Sequence, residues 1–467
     1  MNDFLSELPE GIAITDSDLM ARYLTDFRRK YTGKALAVLR PRSTEEVALC
    51  LRLCASHGIP LVPQGGNTSY CAAATPDASG RQVVMSFERM NRIREIDVLN
   101  RSITVEAGVI LANLQEAAAS AGLDCPLSLG AKGSCQIGGN ISTNAGGMNV
   151  VGAGMTRDIV LGLEVVLPDG RVLDTLEPLR KDNSGYAVDQ LFIGAEGTLG
   201  LITAATLRMR RRTEKVVTAF LACPALESLP HLLERVQAAT GDGVTTFEYI
   251  GHEAMSRLLT MRPELRLPLE NQSPHYLLVE VAAASAAMPL EETFEALLEA
   301  FFEEGLLTDG TVAASQTQRL ALIDLRESIP EGEVLAGGSV KHDIAVRPSR
   351  IADFIARASQ IVTEHGQGAE LSVYGHVGDG NVHFDVLASP DNPEISLSWI
   401  ERELSPRIYA LAREMNGTFS AEYGIGQAKL GLNALYGNSV KTDLMHCIKA
   451  AIDPSGLLNP GKVVSKL

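Results

Sequence analysis

No stretch of this sequence is apolar for long enough to cross a bilayer. The longest nearly apolar segment, IVLGLEVVL at 159–167, falls far short of the ~20 residues a helical span needs and ends in Pro168-Asp169-Gly170, the turn of an expected hairpin. Positive charge is scarce: 41 Lys and Arg against 57 Asp and Glu give a formal charge of −16. That excludes nucleic acid and anionic membrane surfaces as main partners, because both are held by basic patches. The local basic run RMRRRTEK at 208–215 reads as a solvated strand end. None of the seven cysteines forms a C-x-x-C pair, and an odd count in 467 residues reads as reduced thiols. The N-terminus MNDFLSELPEGIAI has neither a basic n-region nor a long apolar h-region, so no export signal is read and a cytoplasmic location is expected. The Walker pattern is absent. GAG at 152–154 lacks the third glycine and the preceding strand of a dinucleotide fingerprint, which leaves no NAD site. No internal repeat or low-complexity linker is found.

What remains is an apolar content of 45% in a chain long enough for two to four domain-sized units. From 33 to 213 strand-like and helix-like segments alternate with glycine-rich joints. ALAVLRP, STEEVALCLRLCASHG and IPLVPQGG make a β-α-β unit, with Ser43 and Glu46 at capping-box spacing and Gly58 as C-terminal cap. SITVEAG and ILANLQEAAASAG repeat the pattern, and LGLITAATLRM closes it with a strand. Beyond 214 longer amphipathic helices such as LEETFEALLEAFFEEG alternate with the strands VVTAFLAC, HYLLVEVAA and VKHDIAV, which indicates a second α+β domain. Helices are expected at 395–415 and 438–451, followed by IDPSGLLNPGK.

Two features carry chemistry. PLVPQGGNTSY at 60–70 and LGAKGSCQIGGNISTNAGG at 129–147 are dense in Gly, Ser, Thr and Asn. Glycines let backbone N–H groups approach an anion, and hydroxyl and amide side chains add uncharged donors, which suits the pyrophosphate of a nucleotide cofactor. In YGHVGDGNVHF at 374–384, Asp379-Gly380 predicts a two-residue hairpin turn that sets His376 opposite His383 on one face. Such a pair serves equally as a metal site and as two hydrogen-bonded structural histidines.

PLVPQGGNTS, QIGGNISTNAGG, KDNSGYAVDQLFIGAEGTLGLIT, HVGDGNVHF and the closing LLNPGK, in this order, resemble the FAD-linked oxidoreductases of the vanillyl-alcohol-oxidase type, within them the D-2-hydroxyglutarate and D-lactate dehydrogenase branch. The resemblance implies an α+β protein: a PCMH-type FAD-binding domain of two α/β subdomains at 33–213 and a cap domain with an antiparallel sheet, helices and the metal site at 214–437. A segment at 438–467 would return to the flavin. It implies FAD pyrophosphate on Gly65, Gly66, Asn67, Thr68 and Ser69, preceded by Pro63. The loop residues Pro126, Ser134, Gly138, Gly139 and Asn140 would line the cofactor, together with Thr143, Asn144, Gly147, Gly197 and Ile202, and Asn459 would sit near the isoalloxazine. Asn67 stands where tethering relatives carry a linking residue, and neither Cys71 nor Cys135 matches an attachment site, so noncovalent FAD is expected.

The resemblance also supplies a third ligand. In FSAEYGIG, Glu422 matches the glutamate that, with two hairpin histidines, binds a divalent ion, usually zinc; His376, His383 and Glu422 then form an open three-ligand site. Arg326 in LRESIP and Lys341 in VKHDIAV would clamp substrate carboxylate, and Asn381 joins the catalytic set. Pro330 stands where relatives often have a hydroxyl residue, and Tyr423 replaces the histidine taken as the base. A phenol with a pKa near 10 is a poor base at neutral pH. Either the metal lowers the substrate hydroxyl enough, or Tyr423 is itself ionised by metal and Lys341, or it orients substrate. The implied reaction is oxidation of a D-2-hydroxy acid to the 2-oxo acid by hydride transfer to flavin N5, with electrons passed to a separate quinone, electron-transfer flavoprotein or cytochrome. The assembly is left open, with a homodimer as one state. The alternatives are a non-redox FAD enzyme of the same fold and an FAD-binding subunit of a glycolate-oxidising complex.

Overall fold

The computed structural model describes residues 2–465. It divides into two compact units: unit 1 takes the chain as far as Gly146, resumes for Gly154–Arg212 and takes it again from Glu422 on, whereas unit 2 comprises Gly147–Ala153 and Thr213–Ala421. No helix among the described residues is long and apolar enough to cross a membrane.

Unit 1 starts from the β-α-β unit: β1 (Ala35–Leu39), α1 (Thr44–Ser56) and β2 (Leu61–Gln64). The Ser43 hydroxyl accepts from Glu46 N at 3.3 Å, and the Glu46 carboxylate reaches back to Arg42 N at 2.7 Å, so one donor of the first turn and the N–H of the residue before the cap are satisfied. Gly58, at φ 62°, ends the helix in the left-handed region. α1 buries Val47, Cys50, Leu51 and Cys54 in one core with Leu39, Leu61 and Val83. Burial pushes the Cys50 thiol up to about 12, so this cysteine acts as a small apolar group rather than a nucleophile. β3 (Gln82–Ser86) lies between β1 and β2, parallel to both. A second, antiparallel sheet runs β4 (Ile93–Asp97), β5 (Ser102–Glu106), β8 (Leu201–Arg208), β6 (Val160–Val166), β7 (Val172–Asp174). The hairpin at Asp169-Gly170 joins β6 to β7, closed by Leu167 N donating to Arg171 O at 2.8 Å.

Unit 2 is built on one antiparallel sheet. Its strands are β9 (Lys215–Cys223), β10 (Val244–Gly251), β11 (His275–Ala283), β12 (Asp309–Val312), β13 (Ser339–Val340), β14 (Asp343–Ala345), β15 (Glu370–Gly375) and β16 (Asn381–Leu387). They run in space as β12-β9-β11-β10-β15-β16-β13, with β14 also on β16. Helices α2 (Gln316–Glu327) and α3 (Ile329–Leu335) bring Leu322, Leu325 and Ile329 into a core with Phe220, Tyr276 and Leu278.

Three expectations differ from the structure. VKHDIAV is not one strand: β13 and β14 share a register on β16 but break at Lys341-His342. The buried imidazole of His342 takes Phe384 O at 2.8 Å, the carbonyl that an unbroken ladder would give to the His342 N–H. Gly147–Ala153 belongs to unit 2, because its short helix packs so closely on β10 that a Cβ on Gly152 would strike Val244 O. Unit 2 also ends at Ala421 rather than at 437, so Tyr423 and its neighbours are part of unit 1.

Candidate functional site

The two glycine loops of unit 1 form one surface. A Cβ on Gly66 would collide with Ser134 O, a Cβ on Gly65 would sit 3.5 Å from Gly139 Cα, and a Cβ on Gly197, at φ 69°, would run into Pro63. At Gly66 glycine is needed for close approach of backbone to backbone, and at Gly197 for a left-handed φ beside the Pro63 ring, whereas the contact at Gly65 is an ordinary one. Asn67 holds a left-handed φ of 53°, stabilised by its side-chain N–H donating to Thr25 O at 2.8 Å. Several residues assigned to the cofactor spend their side chains on the loop itself: the Ser69 hydroxyl accepts from Cys71 N, Thr143 donates to Gly139 O, and the Asn144 side-chain carbonyl accepts from Arg157 N. The Asn140 amide donates to Cys135 Sγ at 3.6 Å. Thr68 is half-buried, Ser134 and its hydroxyl lie at the loop surface, Gly138 and Pro126 are buried, and Ile202 is buried in β8. Gln136 Oε1 and Asn459 Oδ1 are buried without a hydrogen-bond partner among the described residues.

Sequence reasoning missed Glu196. It lies buried at φ 51°, and its carboxylate accepts from Ile425 N at 2.7 Å and Gly426 N at 2.8 Å. Burial pushes its carboxyl up to about 7, against these N–H groups and the charges of Lys429 and Lys462. Asn459 donates to Glu196 O at 2.8 Å and to Ala73 O at 3.1 Å. One carboxylate thus clasps the turn that follows Tyr423, whose ring packs edge-on against Tyr70 at 4.7 Å with Lys429 Nζ 5.5 Å over it. An acid between glycines in the apolar run FIGAEGTLGLI was the available signal.

In unit 2 the two histidines meet, although not as the turn chemistry predicts. Tyr374, not His376, is opposite His383, and the turn runs from His376 to Gly380, closed by Asn381 N donating to His376 O at 3.1 Å. Neighbouring strands widen it: Gly378 N donates to Phe247 O in β10, and the Asn381 amide donates to Ile344 O at 2.9 Å and Asp343 Oδ1 at 3.2 Å. The imidazoles are buried side by side, centroids 5.2 Å apart and edge to face, with ligand atoms within 4.8 Å. His376 Nδ1–H donates to Glu248 Oε1 at 2.6 Å, because an ionised carboxylate can only accept; the tautomer therefore leaves Nε2 as the ligand nitrogen. Burial pushes the Glu248 carboxyl up, but His376 and Arg326 outweigh it and hold it below the ordinary range. Glu422 follows directly on Ala421, whose N–H donates to Asp343 Oδ2 at 3.0 Å, and Asp343 is the cross-strand partner of His383.

Both expected clamp cations are engaged by acids. Arg326 is 4% exposed, with Nε donating to Glu248 Oε2 at 2.8 Å and its guanidinium 4.8 Å over the Tyr374 ring. Lys341 Nζ donates to Glu333 Oε2 at 2.6 Å and Asp385 Oδ2 at 2.7 Å. Pro330 sits in the first turn of α3, where a missing N–H costs nothing. Asn381 Oδ1 is a buried acceptor with no partner among the described residues.

Residues 35–176 match the family model described as FAD binding domain, and residues 212–463 match FAD linked oxidases, C-terminal domain. The chain belongs to the FAD-linked oxidase family and is a flavin-dependent oxidoreductase. It is 38% identical to a mitochondrial D-2-hydroxyglutarate dehydrogenase of Danio rerio, over 99% of this chain and 84% of that one. The D-2-hydroxyglutarate dehydrogenase of Stutzerimonas stutzeri is 34% identical over 99% and 98%. Among solved structures, p-cresol methylhydroxylase aligns over 99% of this chain and 96% of its own with a TM-score of 0.75 at 17% identity, in keeping with the α+β, PCMH-type fold. The cytoplasmic expectation is corrected by these names: the relatives from Danio rerio, Arabidopsis thaliana and Bos taurus are designated mitochondrial. Reduced thiols mark a reducing compartment and do not single out the cytoplasm.

Proposed function

We propose that this protein oxidises a D-2-hydroxy acid to the 2-oxo acid with noncovalent FAD as electron acceptor and with a zinc-type divalent ion held by His376, His383 and Glu422. The observation that carries the metal is the buried imidazole pair with Glu248 orienting one ring, the carboxylate–histidine arrangement that raises ligand basicity at metal sites. Two nitrogens and one carboxylate leave coordination open for substrate, as a catalytic site requires. FAD fits unit 1: the Gly65–Ser69 and 134–139 loops present close backbone, and Gln136 Oε1 and Asn459 Oδ1 are acceptors that flavin N–H groups can satisfy. Cys71 Sγ donates to Gly424 O and Cys135 Sγ accepts from Asn140, so both thiols already have partners inside the loops.

Bound FAD supplies a two-electron acceptor at N5, and the divalent ion supplies a Lewis acid that lowers the pKa of an alcohol. Asn381 offers its buried Oδ1 as a hydrogen-bond acceptor, and Tyr423 orients substrate rather than taking its proton, so the hydroxyl proton passes to solvent water. The relatives' names support the substrate class, and a separate quinone, electron-transfer flavoprotein or cytochrome reoxidises the flavin. The test is anaerobic bleaching of the flavin by D- and L-2-hydroxy acids, before and after chelation, with the flavin content measured by acid precipitation. Bleaching by a D-acid that chelation abolishes and metal restores supports the reading. A flavin that no 2-hydroxy acid reduces refutes it, and flavin left on the precipitated chain refutes noncovalent binding.

A further inference from the structure

Lys341 is the cation expected to meet a substrate carboxylate, and the fold surrounds it with acid. The register that pairs Val340 with Val386 and Asp343 with His383 sets Lys341 opposite Asp385. α3 then brings Glu333 to the same ammonium. Both carboxylates are 1% exposed. Glu333 Oε2 also accepts from the Ser339 hydroxyl at 2.8 Å, and the Tyr374 hydroxyl donates to Asp385 Oδ2 at 3.3 Å. Lys341, Glu333 and Asp385 together carry a charge of −1 if Asp385 is ionised and zero if it is protonated. In neither case is a positive charge left for an incoming carboxylate. The charge of Arg326 is likewise matched by Glu248, although its Nη2 makes no hydrogen bond among the described residues.

The same cluster asks for a donor. Glu333 Oε1 is buried and has no hydrogen-bond partner among the described residues, a costly state for a carboxylate oxygen unless a ligand or water donates to it. The cluster also stands at a useful distance from the imidazoles. Asp385 is two residues beyond His383 on β16, hence on the same face and roughly 7 Å along the strand. Tyr374 bridges the two, its ring 5.1 Å from that of His383 and its hydroxyl on Asp385. A substrate held by its 2-hydroxy-acid end at the histidines therefore reaches this cluster with a tail of a few carbons.

Resting on the proposed 2-hydroxy-acid oxidation, we infer that the tail of the substrate ends in a hydrogen-bond donor, a hydroxyl or an ammonium, and not in a second carboxylate. Glu333 is the residue that sets this preference: it adds the charge that cancels Lys341 and offers the acceptor that the donor fills. The enzyme is thereby selective against diacids, whose second carboxylate finds no net positive charge there, and for donor-ended monoacids by the unpartnered oxygen.

The experiment uses the FAD- and metal-loaded enzyme and D-2-hydroxy acids of equal chain length that differ only at the far end: 2,5-dihydroxypentanoate, 5-amino-2-hydroxypentanoate, 2-hydroxyglutarate and 2-hydroxypentanoate. A donor-ended acid is expected to exceed both the carboxylate-ended and the methyl-ended acid by about tenfold or more in kcat/KM. Glu333→Leu is expected to raise the ratio of 2-hydroxyglutarate to the donor-ended acid by about tenfold; Glu333→Gln, which keeps the shape of the side chain, should shift it the same way should the leucine variant fold poorly. Preference of the wild-type enzyme for 2-hydroxyglutarate, equal use of the methyl-ended acid, or an unchanged ratio in both variants would overturn the inference. If none of the acids reduces the flavin, the proposed reaction itself has failed. The corresponding 2-oxo acids, titrated by their perturbation of the flavin spectrum, then decide the inference by the same order of affinity.

Discussion

Replacing Glu248 by glutamine separates two tasks that one carboxylate performs in unit 2. Glu248 is fully buried, with His376 Nδ1 at 2.6 Å on one oxygen and Arg326 Nε and Nη2 at 2.8 and 2.7 Å on the other. Removing its charge leaves the Arg326 guanidinium buried without a counter-ion, and breaking a buried pair in this way costs about 3–5 kcal/mol. The amide oxygen still accepts from His376 Nδ1–H, but as a neutral acceptor roughly half as strong, so the ring keeps its tautomer and loses basicity. Loss of such an orienting partner weakens metal binding about 10- to 100-fold, which is about 1.4–2.7 kcal/mol. Metal affinity is read by competition with a chromophoric chelator, and stability by the urea transition that includes unit 2. The double variant Glu248→Gln/Arg326→Met distinguishes the tasks: with the orphaned charge replaced by an apolar side chain, most of the stability returns while metal affinity stays low. Metal affinity of Glu248→Gln within about twofold of wild type would refute the reasoning and leave Glu248 as the counter-ion of Arg326 alone.

His376→Ala and His383→Ala each remove one of three protein ligands, so elemental analysis should find the metal lost and turnover nearly abolished, with FAD content unchanged because the glycine loops lie in unit 1. Tyr423→Phe should lower kcat by less than about tenfold, roughly 1.4 kcal/mol; a loss above about a hundredfold with FAD and metal intact would make the phenol the base. Glu196 gives a pH signature. Its folded pKa, about 7, lies above the unfolded 4.5, so the folded state binds the proton more tightly; this contribution is full below about pH 4.5, is lost as pH rises to about 7, and is flat beyond. The Tm of wild type relative to Glu196→Gln should fall across that window by an amount equivalent to about 3 kcal/mol, and a difference independent of pH would show that the carboxyl is not raised.

Local rules made much of this protein legible. The Ser43 cap, the Gly58 termination, the Asp169-Gly170 hairpin and the glycine loops depend on a few adjacent residues, whose turn and cap chemistry acts over one helical turn or one hairpin. The motif order pointed to a flavin-linked oxidoreductase for the same reason: each motif is a short stretch whose backbone need is written in its own glycines. Tertiary structure decided what long-range partners do. The Asp379-Gly380 turn widened because β10 and β14 compete for its hydrogen bonds, and VKHDIAV broke because His342 bonds across to Phe384. Glu248 is 128 residues from His376, and Glu196 is 229 from Ile425; no spacing rule reaches that far. Lys341 is the sharpest case: in sequence it is a lone cation on a strand, and only the β16 register and the packing of α3 give it two buried carboxylates that cancel its charge. Periodicity and turn chemistry are short-ranged, whereas the sign of the potential in a buried site is the sum over every charge the fold brings there.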